Sequence, residues 1–298
     1  MWVLLAVCSS ILLGIYDIFR KKSLENNAVL PVLFFSTLTS AIIFLPFILL
    51  STFFKEQFVG NFFFVSFSGY EVQKFIFLKS MLVVSSWICT FFAFKHLPLT
   101  IGSPIRSTAP LWTLLGALTF FGEILSVMQW IGLIISLVFF LSFSFAGKGE
   151  GFSFRNNKWI WFMIAGTLLG ASSGLYDKYL IKRYDKMEVQ AWYSLYQVVV
   201  MAPIIFFLWY PQRKKSTPFQ WKWNIPFIAV FLVVADFAYF YALSLPGALI
   251  SIISIVRRAN VVISFTAGVF LFKEKNIKTK AILLVGILTG VIIMYWGS

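Results

Sequence analysis

Residues 2–19 read WVLLAVCSSILLGIYDIF, an apolar run that ends in Gly14-Ile15-Tyr16-Asp17-Ile18-Phe19 and leads into the basic joint Arg20-Lys21-Lys22. Its closing pattern returns about 160 residues later as Gly174-Leu175-Tyr176-Asp177-Lys178-Tyr179, again after an apolar run and before a basic joint. A second pair of matches follows the same logic. Leu97-Pro98, Arg106 and Phe121-Gly122-Glu123 in the first half answer Leu245-Pro246, Arg257 and Phe272-Lys273-Glu274 in the second. The last two elements of that pair keep one offset, and the Leu-Pro element differs by a small indel. The chain is therefore expected to be two copies of one unit, residues 1–147 and 148–298.

Composition fixes the medium in which these copies fold. Of 298 residues 60% are hydrophobic and 12% charged, far more apolar than the roughly 45–50% apolar and 25% charged usage of soluble domains. A helix rising about 1.5 Å per residue crosses about 30 Å of hydrocarbon in some 20 residues. On that measure about ten spans are expected, near 2–19, 30–54, 75–95, 99–121, 124–145, 158–179, 188–210, 223–245, 248–272 and 277–296. Runs this long and continuous do not suit barrel strands, which are about ten residues long and alternate. The expected fold is all-α, a polytopic membrane helical bundle.

Five spans per unit is an odd number of crossings, so the second copy enters the membrane from the opposite side and the two halves are inverted repeats. The first span is expected to stay in the fold, since it lacks the basic segment that precedes a cleaved signal and its counterpart lies in mid-chain. Cys8 and Cys89 fall inside apolar spans, as small core residues and not a disulfide or metal framework. The net charge of +14 resides in short joints beside spans, which points to anionic lipid headgroups and topology and away from nucleic acid.

Two five-span halves, a Leu-Pro turn before a Ser-containing span, a mid-span Arg and a Phe-x-Glu closing that span resemble the EamA branch of the drug/metabolite transporter superfamily. The resemblance covers essentially the whole chain. It implies a ten-helix transporter of the cell membrane with a central cavity, which moves small metabolites by alternating access. Members handle amino acids, nucleotide sugars, sugar phosphates, nucleobases and drugs, so the substrate does not carry over.

Charges inside the spans narrow the chemistry. Lys79, Arg106, Arg257 and Arg258 each cost about 2.5–3.5 kcal/mol at a helix centre on insertion scales, so they mark a site or a pairing. Arg257 and Arg258 point about 100° apart and cannot face the same way. As repeat mates, Arg106 and Arg257 are expected to approach one cavity from opposite sides and bind a carboxylate or phosphate. The structural alternative is neutralisation by Asp236, Asp17 or Asp177. The substrate-binding candidates are Arg106, Arg257, Lys79, Asn260, Trp87 and Tyr239; the coupling or gating candidates are Asp236, Arg258, Asp17, Asp177, Tyr16 and Tyr176. Asp236 is read as the one acid deep in a span, able to hold an Arg or carry a coupling proton. Asp17 and Asp177 are read as near span ends, and Glu123 and Glu274 as caps or interfacial groups.

Pro104 and Pro110 flank Arg106 and should loosen its span, as in the broken helices at which transporters bind solutes. No HExxH, GxSxG or Asp-rich set and no Walker loop occurs, so neither an enzyme nor an ATP-driven pump is expected, and no cofactor or metal. The leading reading is a secondary transporter of a small anionic metabolite. The alternatives are a neutral, cationic or lipid-like solute, and then a channel or intramembrane enzyme. Orientation has two answers. Joints on the side of the N-terminus carry 6 Lys and Arg and the other side 15, which by the positive-inside rule puts both termini outside. The resemblance implies both inside.

Overall fold

The computed structural model describes residues 1–96, 105, 108–145, 157–215, 217–260, 263 and 277–297. Among them the first half contains α1 (Trp2–Leu24), α2 (Val29–Phe53), a short α3 (Lys55–Phe58), α4 (Tyr70–His96), α5 (Ala109–Phe121) and α6 (Val127–Phe145). The second half contains α7 (Lys158–Ile181), α8 (Lys186–Ile204), α9 (Asn224–Ser244), α10 (Ile250–Arg258) and α11 (Ile277–Trp296). Six of these segments are long and apolar enough to cross a membrane, with α5, α6 and α11 supplying shorter apolar stretches. With no water to satisfy the backbone in hydrocarbon, helices that close their own hydrogen bonds are the form such sequence must take.

Helix ends follow local chemistry. Asp185 caps α8 by accepting the N–H groups of Met187 at 2.8 Å and Glu188 at 3.1 Å, and Asn157 caps α7 by accepting that of Trp159 at 3.0 Å. Pro203 withholds a donor near the end of α8, and the chain passes through a π-turn at Ile205–Trp209 and a 3₁₀ turn at Tyr210–Gln212. The span expected at 188–210 is therefore only partly α-helix. Both repeat motifs also lie inside their helices instead of closing them, since α1 runs on to Leu24 and α7 to Ile181. Arg20 does not end α1 because it turns back on Asp17, one turn earlier, at 2.7 Å.

The halves pack by exchange. α1 lies along α9 and α4 along α7, so, with the four-residue α3 left out of the count, the first helix of each unit is covered by the third helix of the other. Helices of equal rank also meet: α2 with α8, α5 with α10, and α6 with α11. Every one of these contacts maps onto itself or its mate when the halves are interchanged. This is the packing of two inverted five-helix repeats about a pseudo-two-fold axis. α10 sits at its centre, with Ile252, Ile253, Ile255 and Val256 fully buried. Leu4, Ile42, Phe53, Phe120, Ile134 and Phe207 point outward, as lipid-facing positions must.

α6 and α11 approach closely because both present glycine. A Cβ on Gly132 would lie 2.5 Å from the carbonyl oxygen of Gly290, a small-residue seam of the kind that lets membrane helices meet backbone to backbone.

Candidate functional site

Between α1, α4, α5, α7, α9 and α10 lies a cavity of about 210 Å³. Its polar content begins with α4, where Lys79 is 2% exposed and forms an ion pair with Asp177 of α7. The ammonium also stands over the Tyr193 ring at 4.1 Å and the Phe240 ring at 5.0 Å. A charge-assisted bond plus two aromatic faces compensates for leaving water. On the facing wall Arg257 of α10 bonds Asp236 of α9, Nη2 to Oδ1 at 2.7 Å, with its guanidinium 3.9 Å from the Tyr239 ring centroid. Arg257 Nε is buried with no hydrogen-bond partner. Tyr239 links the walls, its hydroxyl donating to the Gly174 carbonyl at 3.5 Å.

A third cluster flanks the first two. Asp17 accepts from Asn260 Nδ2 at 2.7 Å and pairs with Arg20 at 2.7 Å. Arg20 in turn lies 5.1 Å from the Tyr16 ring centroid and 5.6 Å from that of Phe91.

Nine of the residues singled out in the sequence line this one cavity: Lys79, Trp87, Tyr239, Asn260 and Arg257, with Asp236, Arg258, Asp177 and Tyr16. Asp17 stands behind the wall, bonded to Asn260. Tyr176 does not line it; its ring stacks on Tyr179 with centroids 5.6 Å apart, although Tyr16, its repeat mate, faces the cavity. Arg106, Pro104 and Glu274 lie outside the described residues.

One sequence reading needs correction. Asp236 is not the one acid deep in a span: Asp177 is 6% exposed and holds Lys79, because α7 continues past it. Of the three carboxylates offered by the sequence as partners for the arginines, Asp236 is the one bonded to Arg257.

Three charged groups escaped the sequence reading. Arg20 looks like the start of a basic joint and instead lines the cavity. Lys178, one of the 6 charges counted on the side of the N-terminus, is 3% exposed and bonded to Glu123. Glu188 is fully buried and accepts from Ser66 Oγ at 2.7 Å, Ser68 N at 2.7 Å, Ser68 Oγ at 2.6 Å and Gln73 Nε2 at 3.2 Å. A carboxylate in the first turn of a helix signals a cap, but not that it clamps a segment more than a hundred residues away. Setting aside Lys178 and Arg20 changes the joint charges from 6 and 15 to 5 and 14, and the asymmetry stands.

The sequence pattern of the EamA-like transporter family matches residues 1–145 and, a second time, residues 157–296. A solved structure titled "Crystal structure of protein" superposes with a TM-score of 0.70 at 14% identity, over 98% of this chain and 94% of its own. At that identity the likeness concerns the fold alone. No curated protein matches the sequence.

Proposed function

Because this chain belongs to the EamA-like transporter family, we propose that it is a secondary transporter that carries a small anionic metabolite across the membrane by alternating access. It is a multi-pass membrane protein of the drug/metabolite transporter superfamily. The cell's plasma or inner membrane is its proposed location, and residues 1–147 and 148–298 are its proposed units.

The buried Nε of Arg257, which has no hydrogen-bond partner, carries the reading. Among the described residues, Arg20, Lys79, Arg257 and Arg258 line the cavity together with Asp177 and Asp236. A buried donor left without a partner costs free energy, which a bound anion recovers. Arg257 is the group assigned to the solute. It spends Nη2 on Asp236 and keeps a buried Nε without a partner, so a carboxylate or phosphate that takes the place of Asp236 can bind it through two parallel hydrogen bonds. Lys79, Asn260, Trp87 and Tyr239 complete the proposed binding wall, with Arg106 as a further candidate. Asp236 is then free to hold or release Arg257 as solute leaves or arrives, with Asp177, Asp17 and Arg258 as the remaining coupling candidates. A neutral or cationic solute is the second reading, favoured by the aromatic faces of Trp87, Tyr193 and Tyr239.

Counterflow in proteoliposomes is the test. Vesicles preloaded with unlabelled solute should accumulate the labelled form of at least one carboxylate or phosphate from a panel, and the uptake should saturate. Uptake that neither saturates nor responds to preloading would identify a channel and overturn the proposal.

A further inference from the structure

Just beyond the cavity lies a second buried ion pair. Which end of the bundle it occupies follows from the chain. α1 starts at Met1 and finishes where Lys222 Nζ donates to the carbonyls of Lys22 at 3.1 Å and Glu25 at 2.7 Å. At the other end, the one from which α1 sets out, Ser126 Oγ donates to the Gly297 carbonyl at 3.1 Å. α5 finishes at this Met1 end in Gly122, whose φ of 58° turns the chain so that Glu123 points back into the protein.

The Glu123 carboxylate accepts the N–H of Ile250 at 2.7 Å, the N–H of Ser251 at 3.2 Å and the hydroxyl of Ser251, and so caps α10. It also pairs with Lys178 of α7, which donates to the Ala248 carbonyl at 2.7 Å as well. One carboxylate from the first half thus binds two helices of the second. The cluster is adjacent to the cavity, since Ile250 and Asp177 both line the cavity and are a bond or a residue away from it.

The repeat register makes the cluster one-sided. Gly174-Leu175-Tyr176-Asp177-Lys178-Tyr179 aligns with Gly14-Ile15-Tyr16-Asp17-Ile18-Phe19, so the position answering Lys178 at the opposite end holds Ile18. An isoleucine supplies no ammonium for the symmetric bridge.

We propose that Glu123, Lys178 and Ser251 form a latch that closes the cavity toward the Met1 end, and that Ile18, in the place of Lys178, denies the opposite end the same bridge. The two gates then differ in strength, and the resting protein favours the state closed at the Met1 end. Opening that end requires Glu123 to leave both the N-terminus of α10 and Lys178, which frees the helix that carries Arg257 toward its other end. The latch rests on the transport reading above, and its test is separable from it.

The test reads sidedness. In a Cys8→Ser/Cys89→Ser background, Ser254→Cys places a thiol on the cavity wall, and a membrane-impermeant maleimide is applied to one face of vesicles of known orientation. The parent should react from the face opposite Met1. Lys178→Met with Glu123→Gln removes both charges while the Gln carbonyl still accepts from α10, so no orphaned ion is buried and the fold is kept. This pair should raise labelling from the Met1 face by roughly tenfold, a shift of populations between two states. Lys178→Arg, which keeps the bridge, should behave as the parent. Equal labelling from both faces in the parent, or an unchanged pattern in the Met/Gln variant with its melting temperature preserved, would overturn the latch. Counterflow on the same vesicles tests transport independently: its absence with sidedness intact would sink the transport reading alone.

Discussion

At the scale of single residues, the Lys79–Asp177 pair shows how a charge is kept inside the membrane. Lys79 is 2% exposed, and the groups facing its ammonium are Asp177 and the rings of Tyr193 and Phe240. Removing the carboxylate with Asp177→Asn orphans a buried ammonium and should cost about 3–5 kcal/mol, whereas Lys79→Met/Asp177→Asn should recover most of the loss. Chemical unfolding in detergent measures both, and an additive double variant would contradict the pairing. That Lys79 has a special place was legible, since a lysine in an apolar run announces itself. Its partner was not, because Asp177 is 98 positions away and meets it only through the packing of α4 on α7. Arg20 was misread for the converse reason: followed by two lysines, it looks like a loop.

At the scale of elements, close packing and clamps are decisive. Gly132→Val inserts a side chain where a Cβ already meets the Gly290 carbonyl oxygen at 2.5 Å. Overpacking of this kind costs about 1–3 kcal/mol, so the variant should melt at lower temperature and expose the α6–α11 seam to hydrogen exchange before the rest. Melting unchanged from the parent would contradict the seam. Glu188→Ala should likewise destabilise the protein, by about 1–3 kcal/mol for buried donors left unpaired, with local loosening of residues 66–68 read by proteolysis. Most helices were legible as apolar runs. What the sequence reading missed were the interruptions: Pro203 leads α8 into a π-turn, and Gly122 frees Glu123 to act at a distance. A residue's reach across the fold is not encoded in its neighbours.

At the scale of the whole molecule, the duplicated Gly-x-Tyr-Asp pattern announced two inverted units, and the packing carries that symmetry through each major helix pair. The exchange of helices between halves was not legible, because a repeat specifies what the units are and not how they interlock. The exchange matters for function, since it places Arg257, Asp236, Lys79 and Asp177, drawn from both halves, around one cavity. The asymmetries superposed on the repeat, Lys178 against Ile18 and Tyr176 turned away where Tyr16 faces in, are where the two ends acquire different behaviour.

Transport as proposed here requires that the cavity bind an anion at Arg257. Thermal melting of the purified protein across carboxylates, phosphates, neutral metabolites and cationic drugs tests it most directly, alongside an Arg257→Gln/Asp236→Asn variant that leaves no orphaned charge. A ligand at a hundredfold excess over its Kd stabilises the folded state by about 2.7 kcal/mol. Stabilisation of this size by at least one carboxylate or phosphate, lost in the double variant, is the expected result. Stabilisation by cationic or neutral compounds alone, or by anions equally in both proteins, would contradict it.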